Sequence, residues 1–173
     1  MKSIKKCANC DLCNNQLPLL DDLKKADIMW VGLSSKKVND INNSIPLSND
    51  TNSGKIIERI ENKLVGLTFY KTNLVKCLPL NEKNKLRYPN TEEMDKCIVN
   101  LISEIKLVEP KMVFILGKKA YDFVYKYFKN NGINSSNVFY IEHPSYIYVY
   151  KRKYVDDYIN KIVEIYNSNL YKV

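Results

Sequence analysis

The sequence lacks several features that would place it in other classes of protein. No run of apolar residues is long enough to cross a bilayer, no secretory signal precedes the first cysteine, and no internal repeat or low-complexity linker interrupts the chain. These absences argue against a membrane-spanning or repeat protein, and they make disulfide bonds unexpected. We therefore expect a cytoplasmic protein without membrane contact. Its length of 173 residues is typical of one domain, so a single domain is predicted across residues 1–173.

Acidic residues are scarce relative to basic ones, with 19 aspartates and glutamates against 27 lysines and arginines. The resulting net charge of +8 favours a polyanionic partner such as a nucleic acid. Thirteen tyrosines, together with many asparagines and lysines, also indicate a base-composition bias. Charge alone therefore does not decide between nucleic-acid binding and a solvated basic surface.

Five cysteines form a pattern typical of a metal site. Cys7, Cys10 and Cys13 are closely spaced near the start of the chain, whereas Cys77 and Cys97 lie far downstream. Tetrahedral zinc and cubane iron-sulfur clusters both take four thiolates, and a C-x-x-C pair supplies two of them. Buried structural thiols and a thioredoxin-like redox pair are alternatives, although a redox pair would follow a strand and open a helix. The pattern predicts metal binding with one cysteine to spare.

Short apolar runs alternate with amphipathic segments along the chain. The run from Asp27 to Leu33 is continuously apolar, as in a strand buried on both faces of a parallel sheet. Further strands are predicted at 68–76, 111–117 and 137–141, and helices at 53–64, 91–108, 118–130 and 151–167. The alternation predicts an α/β protein, namely a three-layer α/β/α sandwich around a central four-stranded parallel sheet.

Polar residues at the predicted carboxyl ends of the strands mark a candidate site, because ligands bind there in parallel sheets. The only histidine, His143, follows the last strand, and Pro144 stiffens the turn and fixes the direction of the ring. Asn73 lies inside the apolar second strand, where a carboxamide is costly to bury without hydrogen bonds. Asn73 either caps a nearby bend or reads the edge of a base, and His143 is either structural or functional.

Several segments together resemble the iron-sulfur uracil-DNA glycosylases, the fourth family of their superfamily. The matching segments are, in chain order, Cys7-Ala-Asn-Cys10 with Leu12, Tyr70 to Pro79, Arg87-Tyr-Pro89 with Glu92 and Cys97, Pro110 to Ala120, and His143-Pro-Ser145. The resemblance covers nearly the whole chain and implies a four-stranded parallel sheet between helices. It also implies a [4Fe-4S] cluster with the ligands Cys7, Cys10, Cys77 and Cys97, which leaves Cys13 over.

The resemblance implies roles for the polar residues at the strand ends. Asn73 would read the Watson–Crick edge of a flipped base, and His143 would stabilise the negative charge that grows on the departing base. Tyr146, Tyr148 and Tyr150 would either stack on the nucleic acid or pack within the protein. The basic residues expected to hold DNA phosphates are Lys118, Lys119, Lys151, Arg152 and Lys153.

Two positions depart from the family's pattern. The family carries Gly-Glu-x-Pro-Gly after the first strand, with an acid that positions or activates water, but this chain has Leu33 at the position of the acid. The family's Pro-Phe pair, whose ring stacks on the flipped base, is replaced by Pro46 and Leu47. Ser34 and Asp40 are candidate substitutes for positioning water, with Ser35 beside them. The residues expected to line the base pocket are Gly32, Leu33, Leu47, Asn73 and Ser145.

The leading hypothesis is a DNA base-excision glycosylase that hydrolyses the N-glycosidic bond of uracil or a related deaminated base in single- or double-stranded DNA. The alternative is a non-catalytic iron-sulfur protein of the same fold that binds nucleic acid. Leu33 and Leu47 favour the alternative, whereas Asn73 and His143 favour the enzyme. A third hypothesis keeps the fold and replaces the cluster with structural zinc. We expect a monomer associated with the nucleoid.

Overall fold

A computed structural model of the chain describes residues 2–169. Its centre is a sheet of four parallel strands in the spatial order β2-β1-β3-β4. The strands are β1 Ile28–Ser34, β2 Phe69–Val75, β3 Met112–Leu116 and β4 Val138–Ile141. Each predicted strand is confirmed to within one residue at either end. Their continuous apolar sequences follow from burial on both faces of the sheet.

Within residues 2–169, six α-helices accompany the sheet. They are α1 Lys2–Lys5, α2 Asn52–Glu61, α3 Thr91–Val108, α4 Lys118–Asn130, α5 Pro144–Tyr150 and α6 Val155–Asn169, with 3-10 turns at Asp11–Asn14 and Arg152–Tyr154. The helix α3 begins at a capping box, in which the Asn90 side chain accepts from the Glu93 amide and the Glu93 carboxylate accepts from the Asn90 amide. The predicted bounds of α3 and α4 are confirmed.

The segment after β4 differs from the prediction. A closing helix over 151–167 was predicted, but a separate helix α5 begins directly after His143, and α6 begins only at Val155. Pro144 occupies the first helical position, where its missing N–H costs nothing. Tyr146, Tyr148 and Tyr150 alternate with aliphatic residues, which is the period of a strand. For this reason the sequence pattern did not predict the helix α5.

The helices cover the sheet in two layers, which confirms the three-layer α/β/α sandwich. Helices α3 and α4 pack on the face that presents Met29 and Val31 of β1. Helices α2, α5 and α6 pack on the opposite face, which presents Ile28 and Trp30. Because successive side chains of β1 point to opposite faces, they contribute alternately to two separate hydrophobic cores. Within the described residues, no helix combines the length and apolar character needed to span a membrane.

The strand order sets where a ligand crevice is expected, at the carboxyl ends of the central strands. The chain leaves β1 toward β2 on one side, and β3 pairs with β1 on the other, so the connections diverge at the carboxyl ends of β1 and β3. Such a divergence is where parallel sheets bind ligands. Gly32 and Asn73 lie near the ends of β1 and β2, and Gly117 and His143 directly follow β3 and β4.

Candidate functional site

Asn73 and Gly32 are direct neighbours at the edge of the crevice. The register of β1 and β2 pairs the two residues, and the Asn73 side chain leans over Gly32 so closely that a β-carbon on Gly32 would lie 2.2 Å from Asn73 Oδ1. Asn73 is only 4% exposed. Its main-chain carbonyl accepts from Lys76 Nζ, whereas its carboxamide makes no hydrogen bond within residues 2–169. A nearly buried amide is therefore free to bind a ligand.

His143 is held in one tautomer by the helix that follows it. The ring caps α5, and its Nδ1 accepts from the Ser145 amide at 3.3 Å and from Ser145 Oγ at 2.8 Å. An amide N–H only donates, so Nδ1 carries no proton and the neutral ring carries its proton on Nε2. Burial lowers the pKa of His143 from its ordinary value. The geometry presents a neutral imidazole whose Nε2–H makes no hydrogen bond within residues 2–169.

Gly117 lets the histidine ring lie against the end of β3. A β-carbon on Gly117 would lie 3.4 Å from the His143 β-carbon, and the residue has a φ of +88°. Both the close approach and the left-handed backbone favour glycine at this turn. Ser145, predicted to contact the base, directs its hydroxyl to the His143 ring.

The loop that follows β1 contains several of the predicted site residues. Leu47 lies close to Gly32, whereas Asp40 bonds within a local turn. Leu47 is half-buried with a φ of +54°, and its Cδ2 would lie 3.4 Å from a β-carbon on Gly32. Leu33 and Ser34 are half-buried at the end of β1. Asp40 is exposed, and its carboxylate accepts from the Asn43 side chain and the Asn42 amide, which hold the pKa of Asp40 below its ordinary value.

Gln16 braces the same loop, and sequence reasoning missed it. Its Nε2 donates to Ser35 Oγ and to the Lys36 carbonyl, both at 3.0 Å, and its Oε1 accepts from the Val38 amide at 3.0 Å. Three hydrogen bonds from one side chain fix the backbone directly after β1. The residue lies in an irregular segment, where no periodicity marks a polar side chain as structural.

All five cysteines line one pocket beside the end of β2 and the start of α3. These are Cys7, Cys10, Cys13, Cys77 and Cys97, and all are free thiols. The Lys76 amide donates to Cys97 Sγ at 3.4 Å, and Asn100 Nδ2 donates to Cys7 Sγ at 3.5 Å. Burial, followed by the proximity of Cys97, raises the pKa of Cys77 to about 12. Because burial opposes a bare thiolate at Cys77, a bound cation would favour deprotonation of this thiol.

The donor set of this pocket contains enough thiols for a cubane cluster or for a single zinc ion, although within residues 2–169 no three metal-binding side chains converge on one ion position. Tetrahedral zinc brings four sulfurs to about 2.3 Å from one point. A cubane instead takes one thiolate on each of four irons, so the sulfurs stand farther apart. N–H donors to two of the sulfurs suit thiolate ligands. Cys13 lies in the same pocket, where its Sγ contacts the Cys10 carbonyl at 3.3 Å, and the choice of four ligands stays a prediction.

Exposed tyrosines lie beside basic side chains in the segments that follow β3 and β4. Lys119, in the first turn of α4, lies 5.0 Å from the ring centroid of Tyr88, which is 74% exposed. Lys151 lies 5.3 Å from the ring centroid of Tyr146, and that ring lies 5.3 Å from the ring of Tyr150. The cations are partly neutralised, since Lys151 also pairs with Glu142, and Lys118 pairs with Asp122. The remaining basic candidates also lie over tyrosine rings, Arg152 over Tyr148 and Lys153 over Tyr154.

Comparison with known proteins gives one family. The family model described as the Uracil DNA glycosylase superfamily matches residues 17–166. A type-4 uracil-DNA glycosylase from Sulfurisphaera tokodaii is 27% identical over 176 residues, which cover 99% of this chain and 75% of that protein. A type-4 uracil-DNA glycosylase from Archaeoglobus fulgidus is 28% identical over 134 residues, covering 74% of this chain and 63% of that protein.

A solved structure agrees on the fold. The crystal structure of wild-type SMUG2 from Pedobacter heparinus superimposes with a TM-score of 0.64 over 86% of this chain and 76% of that one, at 17% identity. The family match includes Asn73 and His143, and the Sulfurisphaera tokodaii match extends the similarity to the N-terminal cysteines. The resemblance inferred from the motifs is thereby confirmed. The chain belongs to the uracil DNA glycosylase superfamily.

Proposed function

We propose that the protein is a DNA glycosylase that hydrolyses the N-glycosidic bond of uracil or a related deaminated base. The observation that carries the proposal is the presence of two hydrogen-bonding side chains at the same, carboxyl end of the sheet. Asn73 presents an unpartnered amide for recognition of a base, and His143 presents Nε2–H for the charge that the base acquires on leaving. The names of the type-4 relatives support the same reaction.

His143 acts as a neutral donor to the departing base. Cleavage of the bond leaves an anion on the base and oxocarbenium character on the sugar, so a fixed donor at the base oxygen lowers the barrier. One such donor contributes on the order of 10²–10³ in rate. The hydrogen bonds from Ser145 to Nδ1 cost no reorganisation during the reaction, because they exist before the substrate binds.

Asn73 discriminates between bases through its two-sided hydrogen-bonding group. Its amide can donate to one edge atom of a flipped base and accept from the neighbouring one. Flipping costs a few kcal/mol, which contacts in the pocket must recover. Leu47 supplies an apolar contact at the Gly32 side in place of an aromatic ring, so the pocket relies more on hydrogen bonds than on stacking.

Leu33 stands where the family has an acid that activates water, and the proposed mechanism does not require that acid. An oxocarbenium-like sugar is a strong electrophile, so the attacking water needs a position more than a strong base. Ser34 is the better placed of the two proposed substitutes, since it ends β1 beside Gly32. The carboxylate of Asp40 is engaged by Asn42 and Asn43.

The tyrosines and cations around the crevice provide the DNA contact. Aromatic faces stack on unpaired bases regardless of sequence, and lysines beside them meet the phosphates. Tyr146 and Lys151 follow His143 within eight residues, and Lys119, which contacts the Tyr88 ring, follows Gly117 by two residues. We propose that these two pairs flank the extruded nucleotide.

A [4Fe-4S] cluster on Cys7, Cys10, Cys77 and Cys97 belongs to the same proposal. When bound, the cluster would supply a covalent cross-link between the N-terminal segment, the end of β2 and α3. No step of the hydrolysis passes through it. The fifth thiol, Cys13, is dispensable in this proposal.

The experiment is an excision assay on labelled oligonucleotides, single- and double-stranded, carrying uracil, hypoxanthine or xanthine, with protein purified without air. His143→Ala is the matched control, because it deletes the donor and leaves Asn73 in place. Base release that falls by at least about 10²-fold in the variant would support the glycosylase. Binding of DNA without release of any base would instead favour a non-catalytic reader of the same fold, which Leu33 and Leu47 make the second candidate.

A further inference from the structure

A buried ionic network lies directly beneath Asn73, and the proposed chemistry does not use it. Lys76 and Glu104 are 1% and 0% exposed and form an ion pair between β2 and α3. Tyr70 OH donates to Glu104 Oε1 at 2.9 Å, and Thr72 Oγ1 donates to the same carboxylate at 3.0 Å while accepting from Lys76 Nζ at 2.8 Å. Every charged atom of the pair thus has a partner.

The network holds the backbone of the base-reading residue. Lys76 Nζ donates to the main-chain carbonyl of Asn73, three residues earlier. The next residue is Cys77, and the Lys76 amide donates to Cys97 Sγ at 3.4 Å. Lys76 therefore lies between the pocket of thiols and the carboxamide that faces the crevice. Because that carboxamide has no hydrogen bond of its own within residues 2–169, its position depends on its backbone.

Stability alone is a poor reason for this pair. Removing two charges from water costs more than their attraction often returns, and apolar residues of similar volume usually serve a core equally well. On α3 itself the neighbours are apolar, since Leu101 and Val108 flank Glu104 on the same buried face. An apolar pair would fit the core but would not fix the Asn73 carbonyl.

We propose that the Lys76–Glu104 pair is a positioning element for base recognition, which orients Asn73 through its main-chain carbonyl. The inference rests on the proposed function, since it names the residues that set the precision of the base-reading group. Lys76 touches neither base nor sugar. A displacement of about 1 Å in a positioning contact costs on the order of 10²-fold in rate.

The test replaces the whole pair. Single variants such as Lys76→Met leave an unpaired buried charge and are expected to unfold, so the variant is the double change Lys76→Met with Glu104→Leu. The matched control is Lys71→Met with Glu61→Leu, which removes another ion pair of β2 that has no bond to Asn73. The measurements are thermal unfolding, kcat and KM for uracil release, and the ratio of dissociation constants for thymine- and uracil-containing single strands.

The double variant leaves the buried hydroxyls of Tyr70 and Thr72 without their charged partners, so it is expected to stay folded but to melt below the wild-type temperature. It is also expected to lose at least about tenfold in kcat and in the thymine-to-uracil ratio. The control variant, Lys71→Met with Glu61→Leu, should keep the wild-type kcat and the wild-type thymine-to-uracil ratio. Wild-type kcat and ratio in the double variant would overturn the proposal and leave the pair a structural feature. The binding ratio needs no catalysis, so a wild-type protein that binds uracil selectively without releasing it would contradict the proposed function and leave this test intact.

Discussion

Gly32→Ala tests the geometry of the base pocket with a single added methyl group. The new β-carbon would lie 2.2 Å from Asn73 Oδ1 and 3.4 Å from Leu47 Cδ2. The second distance is tolerable, but the first is about 1 Å short of contact, so the carboxamide must move by that amount. Misplacing a recognition group by about 1 Å costs on the order of 10²-fold in kcat/KM.

The fold should survive this change. Gly32 does not adopt a left-handed backbone, so alanine is compatible with β1, and the stiffer unfolded chain contributes about 0.4–1 kcal/mol of stability. Local overpacking costs about 1–3 kcal/mol, and the net loss is expected to stay below about 3 kcal/mol. Thermal unfolding should therefore show a folded variant at the temperature of the assay.

A double-mutant cycle gives the sharpest readout. If Gly32→Ala acts by displacing Asn73, then adding it to Asn73→Ala should cause no further loss in uracil release. The assay is kcat/KM on single-stranded uracil oligonucleotides for the four proteins of the cycle. A wild-type rate for Gly32→Ala, or fully additive losses in the double variant, would refute the placement of Asn73 in base recognition.

Three further predictions use other parts of the molecule. Because burial lowers the folded-state pKa of His143, the unfolded chain binds the proton more readily, so stability should fall as pH drops below about 6.5; His143→Gln should flatten that part of an unfolding-versus-pH curve. Cys77→Ser or Cys97→Ser should lose iron and visible colour together, whereas Cys13→Ser should keep both, and equal loss in Cys13→Ser would refute the choice of ligands. Lys119→Ala should reduce the slope of log affinity against log salt by about 0.7 on single strands, and an unchanged slope would exclude a phosphate contact.

The sheet and its largest helices were predictable because their sequence patterns agree with their burial and with their end signals. Continuous apolar runs such as Asp27 to Leu33 occur where both faces are buried, and the capping box at Asn90 marks the start of α3 within one residue. The helix α5 was not predictable in the same way. Its side chains Tyr146 and Tyr150 are exposed while Ile147 is buried, so its periodicity is carried by too few residues.

The candidate site was only partly predictable. The rule that ligands bind at strand ends selected Asn73 and His143, and the structure brings both to the crevice. This rule does not predict hydrogen bonds between segments that are distant in sequence, such as the bond from the Val38 amide to Gln16. Glu104 did leave a signal, since a charged residue on the apolar stripe between Leu101 and Val108 has to find a buried partner.

The most direct test of hydrolysis is the transfer of oxygen from water to the sugar. A single-turnover reaction in ¹⁸O-labelled water, with excess protein and a single-stranded uracil oligonucleotide, is analysed by mass spectrometry. The proposed mechanism predicts unlabelled free uracil and an abasic sugar that carries the label, with both products nearly absent for His143→Ala. An intact oligonucleotide that remains bound to the wild-type protein would contradict the glycosylase.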